Sequence, residues 1–430
     1  MNLLLKKVSK FLKPTILSVA IIVASFNCSA QDTTYAREVI EKLTSKIMAG
    51  RGYVYDGDKK AAAYLLNEYK SIGLKPFGKQ YFQPFEFAVN SITNSPSLKV
   101  NGIVLKPGID YVFDPCTPSA KGKFKVKTLV PLPLDVTKIG NKKSALVIDK
   151  SSFDLTNPDG KQKYYETARL LKTKESSAGL IIEKEPKKFI YHVSQTVCER
   201  PYIKVLSDAW PKNVKKVKLK VENTFHESYI SNNVVGFIEG SKNPDSFIVF
   251  TAHYDHLGMM GNETYFPGAN DDASGTAMLL NLAKHYAQNP PEHSIVFIAF
   301  AAEEVGLLGS KYFVDNPLID LSKIKFLINC DIVGTGGEGI TVVNGSVFVK
   351  EFKKLVEIND ENDYLIKVKT RGKARNSDHY WFTEAGVPSF FIYTMGGITA
   401  YHDVYDVPET LPLTEYEDLF MLIRDFVDSF

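Results

Sequence analysis

After residue 30 the sequence contains no apolar run of the roughly 20 residues that a membrane-spanning helix requires. It is poor in cysteine, with four in 430 residues, and it lacks an excess of either charge, with 52 Lys and Arg against 49 Asp and Glu. The near balance gives no reason to expect a nucleic-acid partner. No internal repeat and no low-complexity tract stands out. What is present is 44% hydrophobic and 23% charged residues, which excludes disorder and collagen-like chains and suffices for one large or two ordinary globular domains.

The first thirty residues differ from the rest. Lys6, Lys7, Lys10 and Lys13 precede an apolar run over 16–26, too short to cross a bilayer core. Cys28 and Ala30 followed by Gln31 fit a small-x-small cleavage site, so residues 1–30 read as a secretory signal peptide, with an N-terminal membrane anchor as the alternative. Cleavage predicts export to the periplasm or medium, with no stable membrane span left. Cys28 leaves with the signal. Of the remaining three, Cys116 and Cys198 fall in one middle segment and are able to pair, whereas Cys330 reads as a packing residue in a buried strand.

Val39, Ile40, Leu43 and Ile47 recur at helical spacing, and a second helical pattern runs over 59–72, with Ala62, Leu65, Leu66 and Tyr69 on one side and Gly73 at its end. Around Ser97 the texture changes to short β-rich pieces (123–129, 144–148, 179–182, 202–206) among Pro, Gly and Lys clusters up to about Phe225. Residues 97–225 hold 25 Lys or Arg and 13 Asp or Glu, a net of +12, leaving −13 for the rest of the chain after residue 30. That asymmetry predicts a boundary at each end of a separate module, between parts 31–96 and 226–430. In the last part, strand patterns at 234–238, 247–252, 295–300, 326–329 and 390–393 alternate with helical ones at 273–286, 307–314, 347–358 and 415–427. Runs such as Ile295-Val296-Phe297-Ile298-Ala299-Phe300 lack in/out alternation, as strands covered on both faces do. The expected fold is an α/β three-layer sandwich with a mostly parallel central sheet flanked by helices, plus a smaller β-rich domain.

Metal-ligand residue types follow the carboxyl ends of these strands. They are His253 and Asp255, Glu303 and Glu304, Asp331, and, after 390–393, His402 and Asp403. Carboxyl ends of strands in an open α/β sheet converge on one crevice, so residues distant in sequence can meet there. Singly, each has a plainer reading: His253 and Asp255 as a hydrogen-bonded loop, Asp271 and Asp272 as helix caps, His402 as a loop histidine. Glu303 and Glu304 are harder to dismiss, because adjacent carboxylates after a buried strand repel unless a cation or shared proton relieves them. Together, Asp271, Glu304, Asp331, His253 and His402 supply three carboxylates and two imidazoles, a set suited to two zinc ions rather than one ion. One carboxylate then bridges, and a further carboxylate remains free as general base.

These residues resemble the co-catalytic dizinc exopeptidases that include bacterial secreted leucyl aminopeptidases and aminopeptidase Y. The resemblance runs through Thr251-Ala252-His253-Tyr254-Asp255, Gly268-Ala269-Asn270-Asp271-Asp272-Ala273-Ser274-Gly275, Ala302-Glu303-Glu304-Val305-Gly306, Asn329-Cys330-Asp331, Ser377-Asp378-His379 and Tyr401-His402-Asp403. With Met48-Ala49-Gly50-Arg51-Gly52 and the helix after it, it covers about two thirds of the chain. It implies that Asp271 bridges two Zn2+ ions, His253 and Asp331 hold one, Glu304 and His402 hold the other, Asp255 orients His253, and Glu303 is the general base. Peptides would be the substrates. The 97–225 module is similar to the protease-associated domain that many members carry inserted in the catalytic fold. One departure is Ala374, where some relatives have a tyrosine that stabilises the tetrahedral intermediate; Arg375 and Tyr380 are the candidates in its stead. Ser377, Asp378 and His379 are expected to line the substrate pocket. The resemblance favours an aminopeptidase, with a carboxypeptidase, a one-zinc glutaminyl cyclase and a receptor-like protein without catalysis as alternatives. Asp272, where the cyclases have serine, and the full ligand set argue for hydrolysis.

Overall fold

The computed structural model describes residues 33–128, 140–173 and 176–430; the expected signal peptide lies outside them. Eight strands belong to the first half: β1 (Phe82–Val100), β2 (Ile103–Leu105), β3 (Tyr111–Phe113), β4 (Ala120–Thr128), β5 (Ser144–Asp149), β6 (Leu180–Glu185), β7 (Tyr202–Leu206) and β8 (Lys216–Ile238). Eight follow: β9 (Asn243–His253), β10 (Met259–Met260), β11 (Thr264–Tyr265), β12 (His293–Phe300), β13 (Ile324–Cys330), β14 (Ile340–Val343), β15 (Val368–Arg371) and β16 (Ser389–Thr394). The helices are α1 (Thr33–Thr44), α2 (Gly57–Ile72), α3 (Pro158–Lys172), α4 (Gly275–Gln288), α5 (Leu308–Asp315), α6 (Val349–Asn362), α7 (His379–Glu384) and α8 (Tyr416–Asp428). Ile47 is not on the apolar side of α1, which stops at Thr44; it is exposed in the turn that follows.

One sheet runs through both halves in the order β15-β14-β16-β13-β9-β12-β8-β4-β5-β6-β7-β3. β12, β9, β13 and β16 are mutually parallel. Their side chains point alternately into two apolar layers. Phe250, Ile295, Phe297 and Ile328 pack with α1, α2, α4 and α8 on one face, while Val249, Val296, Ile298 and Leu327 pack with Phe313 of α5 and Phe382 of α7 on the other. Burial on both faces is what the unbroken apolar runs predict, and the three-layer α/β sandwich is as expected.

The two halves share β8. Its first residues pair with β4, its last with β12, and β1 lies antiparallel along most of its length. Both boundaries expected from composition, near 97 and 225, therefore fall within long continuous strands. The β-rich part has its own core, with Leu98, Val100, Val147, Ile182, Ile203 and Leu219 among the buried residues, and α3 covers Leu146, Ile148 and Ile181 on the other side of its sheet.

Cys116 and Cys198 form a disulfide, Cα to Cα 5.0 Å, and Cys330 is buried and free. Among the described residues no helix is long and apolar enough to cross a membrane. The disulfide links residues 82 apart in sequence. Replacing Cys198 by Ser should therefore lower the stability of the oxidised protein by about 2–4 kcal/mol in denaturant titrations. A change near zero would show that the cross-link does not constrain the unfolded chain.

Candidate metal centre

Each strand of the parallel set delivers one part of the site from its carboxyl end. β9 ends at His253; β12 leads through Ala301 and Ala302 to Glu303 and Glu304; β13 leads to Asp331; the loop after β16 carries His402. The fifth part, Asp271, sits in the non-helical turn just ahead of α4. Asp271 lies between the two imidazoles, with Oδ1 3.2 Å from His253 Nε2 and Oδ2 3.0 Å from His402 Nε2. Asp331 Oδ1 is 3.5 Å from His253 Nε2, and Glu304 Oε2 is 3.2 Å from His402 Nε2. Glu303 joins His253 and Asp331 in one cluster of ligand atoms.

The surroundings fix each of these groups. The carboxylate of Asp255 accepts the main-chain N–H of Glu303 (3.1 Å) and Glu304 (3.3 Å) and the hydroxyl of Tyr53 (2.7 Å). His253 Nδ1 is instead 3.1 Å from the Asp255 main-chain oxygen and 3.8 Å from its carboxylate. Asp255 thus orients His253 through its carbonyl, because its side chain is occupied in holding the paired glutamates. Asp272 ties the start of α4 to the segment after β13: it accepts from Gly275 N and Ile332 N at 2.9 and 3.1 Å. Asp406 accepts the N–H groups of Asn270 and Asp271, which fixes the turn that aims Asp271.

A buried relay supports Asp331. Thr251 donates to Asn329, Asn329 to Ser377 Oγ (2.7 Å), and Ser377 to Asp331 Oδ2 (2.7 Å). Ser377, Asp378 and His379, expected to line the pocket, are all fully buried. Ser377 steadies Asp331, His379 packs against the Phe391 ring, and burial pushes Asp378 up to about 7. Arg375 is exposed, its guanidinium over the rings of Trp381 and Tyr380 at 4.9 and 5.6 Å. The aromatic residue at the ligands is Tyr401, absent from the sequence-derived candidates. Its half-exposed ring stacks on His402 at 4.0 Å, and burial together with Asp271, Glu304, Asp331 and Glu303 raises its phenol pKa.

The middle part of the chain also reaches the site. His402 Nδ1–H donates to the carbonyl of Tyr191 (2.9 Å), and Tyr191 N–H donates to the carbonyl of His402 (2.9 Å). Gln195 donates to the carbonyl of Val305, one residue beyond Glu304. Residues 188–198 thus form a strap across one side of the ligands, anchored at its end by the Cys116–Cys198 disulfide. The Tyr191 contact sets the tautomer that leaves His402 Nε2 facing Asp271 and Glu304.

Beneath the ligands Arg51 is completely buried. Its guanidinium donates to the carbonyls of Tyr254 (2.8 Å), Leu43 (3.2 Å), Pro267 (2.6 Å), Gly268 (2.8 Å) and Asp271 (3.3 Å). Sequence reasoning placed Arg51 in a motif without a role, since its partners are main-chain atoms that no residue pattern marks.

The electrostatics call for positive charge. Burial disfavours a charged His402, yet Glu304 and Asp271 outweigh it and raise the ring to about 11. Burial also acts to raise Glu304, but His402 and His256 bring it down to about 2. Glu303 is pushed above the carboxylate range, first by burial and then by Glu304, Asp331 and Asp378. Asp331 Oδ1 is buried and accepts no hydrogen bond, a costly state for a carboxylate oxygen unless a cation meets it. Two imidazoles and several carboxylates around such an oxygen are donors that fit a pair of zinc-like divalent ions.

Residues 233–427 match the model of Peptidase family M28. A probable zinc metalloprotease of Leptosphaeria maculans is 40% identical over 112 residues, 25% of this chain and 26% of the relative. Aminopeptidase YwaD of Bacillus subtilis is 33% identical over 184 residues, 41% of this chain and 38% of the relative. The matched segments span about a quarter of the length of several fungal zinc metalloproteases. In fold, the chain is similar to BSAP, a zinc aminopeptidase from Bacillus subtilis, with a TM-score of 0.66 at 20% identity over 92% of this chain and 95% of that one. An aminopeptidase from Aneurinibacillus sp. strain AM-1 gives 0.60 at 19%, covering 93% of each chain.

Arg51→Met would leave buried carbonyls of the ligand loops without donors, so we expect a stability loss of about 3–5 kcal/mol by denaturant titration. Arg51→Lys should recover little of it, because an ammonium lacks the planar fork that reaches separate carbonyls. Near wild-type stability in either variant would remove Arg51 as the anchor of the site.

Proposed function

We propose, on the premise that residues 233–427 belong to peptidase family M28, that the protein is an exported zinc-dependent aminopeptidase that hydrolyses the N-terminal peptide bond of peptides. The observation that carries this reading is the position of Asp271, one carboxylate oxygen toward each of two imidazoles, with Asp331 and Glu304 completing a half-site on either side. His253, Asp331 and Asp271 would hold one ion; Glu304, His402 and Asp271 would hold the other. When bound, such ions polarise the scissile carbonyl and lower the pKa of water toward about 7.

The remaining work falls to the chain. Glu303, beside His253 and Asp331, accepts the proton of the attacking water on its carboxylate and delivers it to the leaving amine. Asp255 holds the main chain of Glu303 and Glu304, so base and ligand keep a fixed separation. The Tyr401 phenol, carried on a half-exposed ring stacked against His402, would donate to the developing oxyanion in place of Arg375 or Tyr380. Arg51, the guanidinium behind the site, uses its donors on main-chain carbonyls and offers none to a substrate's C-terminal carboxylate, which favours recognition of the α-ammonium end. The names of the aminopeptidases that the chain is similar to support the same preference. Residues 97–225 act as an inserted protease-associated-like module whose strap narrows access to the site.

Two experiments test this reading. Glu303→Gln should retain metal, read by elemental analysis, and lose about 10²- to 10⁴-fold in turnover; an unchanged rate removes Glu303 from the chemistry. Asp271→Ala should lose both ions, and a variant that keeps two rejects the bridge. In both, the assay is release of residues from one peptide with its N-terminus free or blocked. Trimming of the blocked form, or from the other end, would overturn the aminopeptidase assignment.

A further inference from the structure

His256 lies three residues after His253 and was not among the sequence-derived site residues, yet it is fully buried with Nδ1 2.8 Å from Glu304 Oε1. A carboxylate oxygen only accepts, so the proton of this bond sits on Nδ1. Nε2, buried and without a partner, is then a lone pair, since a second ring proton would have no acceptor. The two oxygens of Glu304 are thereby divided: Oε1 is taken by His256, and Oε2 faces His402 Nε2 at 3.2 Å. The packing holds the ring in this place. The main-chain N–H of His256 donates to the carbonyl of Arg51 (3.3 Å), and the ring stands edge-on to His402 at 5.9 Å. Gly268, in the left-handed region at φ 62°, makes room for it, since a Cβ there would lie 2.4 Å from His256 Cδ2.

We propose that His256 is a positioning residue that locks Glu304 to present one oxygen, Oε2, to a metal ion shared with His402 and Asp271. The inference rests on the reading of Glu304 and His402 as metal ligands. His256 also clusters with Asp271 and Glu304, but the proposal gives it the role of partner rather than ligand because its Nδ1 is engaged by Glu304 Oε1. A partner that orients a metal ligand in this way is typically worth about 10- to 100-fold in metal affinity.

The test uses the full chain loaded with zinc and titrated with a chromophoric chelator, with thermal stability of the metal-free forms recorded in parallel. His256→Leu keeps apolar volume and removes the donor; His256→Asn returns an N–H near the place of Nδ1; His256→Gln sets one near Nε2 instead. Expected is that His256→Leu and His256→Gln release one of two ions with about 10- to 100-fold weaker affinity while the other ion is unaffected. His256→Asn should hold both close to wild-type affinity. Equal losses in all three variants, or a loss that tracks thermal stability, would assign His256 a packing role and overturn the proposal. Wild-type affinity in His256→Leu would overturn it as well. Failure of the wild-type protein to take up two ions would overturn the metal reading together with this one, and is read separately from the variants.

Discussion

A single buried guanidinium ties together the loops that carry the clustered carboxylates and imidazoles. Arg51 joins the turn after α1 to the main chain at Tyr254, Pro267, Gly268 and Asp271, in loops that leave different elements. Its charge serves a second purpose. Burial lowers its pKa, and Asp271, Asp406, Asp272 and Asp255 counter that, so cation and carboxylates make one another's burial tolerable. The donors go to carbonyls, which leaves the carboxylates themselves unspent.

That division of labour runs through the whole site. The acidic groups fall into those consumed by the protein and those left available. Asp255, Asp272 and Asp406 accept main-chain N–H groups and shape turns; Asp271, Glu304 and Asp331 keep oxygens directed at imidazoles or at nothing. The parallel strands fix the positions, the first set of carboxylates fixes the turns, and only then does the second set acquire a defined geometry. Adjacent pairs make the contrast plain, since Asp271 and Asp272 are chemically alike and differ only in what their neighbours ask of them.

The fold was legible where periodicity was clean. Ile295 to Phe300 reads as a doubly covered strand because every residue is apolar, and His253, Glu303, Glu304 and Asp331 are visible because each follows such a run, while Asp271 and His402 stand in a turn and a loop. β1 and β8 were not read at their full length, since register shifts near Val89 and Ser97 break the alternation that marks a strand. Tyr53, His256 and Asp406 were missed for another reason. Their roles depend on contacts across 202, 48 and 136 residues, and neither composition nor local spacing carries a sign of such partners. The charge contrast of the middle segment was visible, but not that its strap would reach His402.

The strap has a consequence for how the molecule could change over generations or at a designer's bench. Because the carbonyl that aligns His402 belongs to Tyr191, the middle segment cannot be excised or exchanged like an appendage without depriving an imidazole of its alignment. Substitutions near residue 191, well away in sequence from the clustered carboxylates and imidazoles, would shift the ring of His402. The wall of the cleft and the alignment of that imidazole are thereby inherited together.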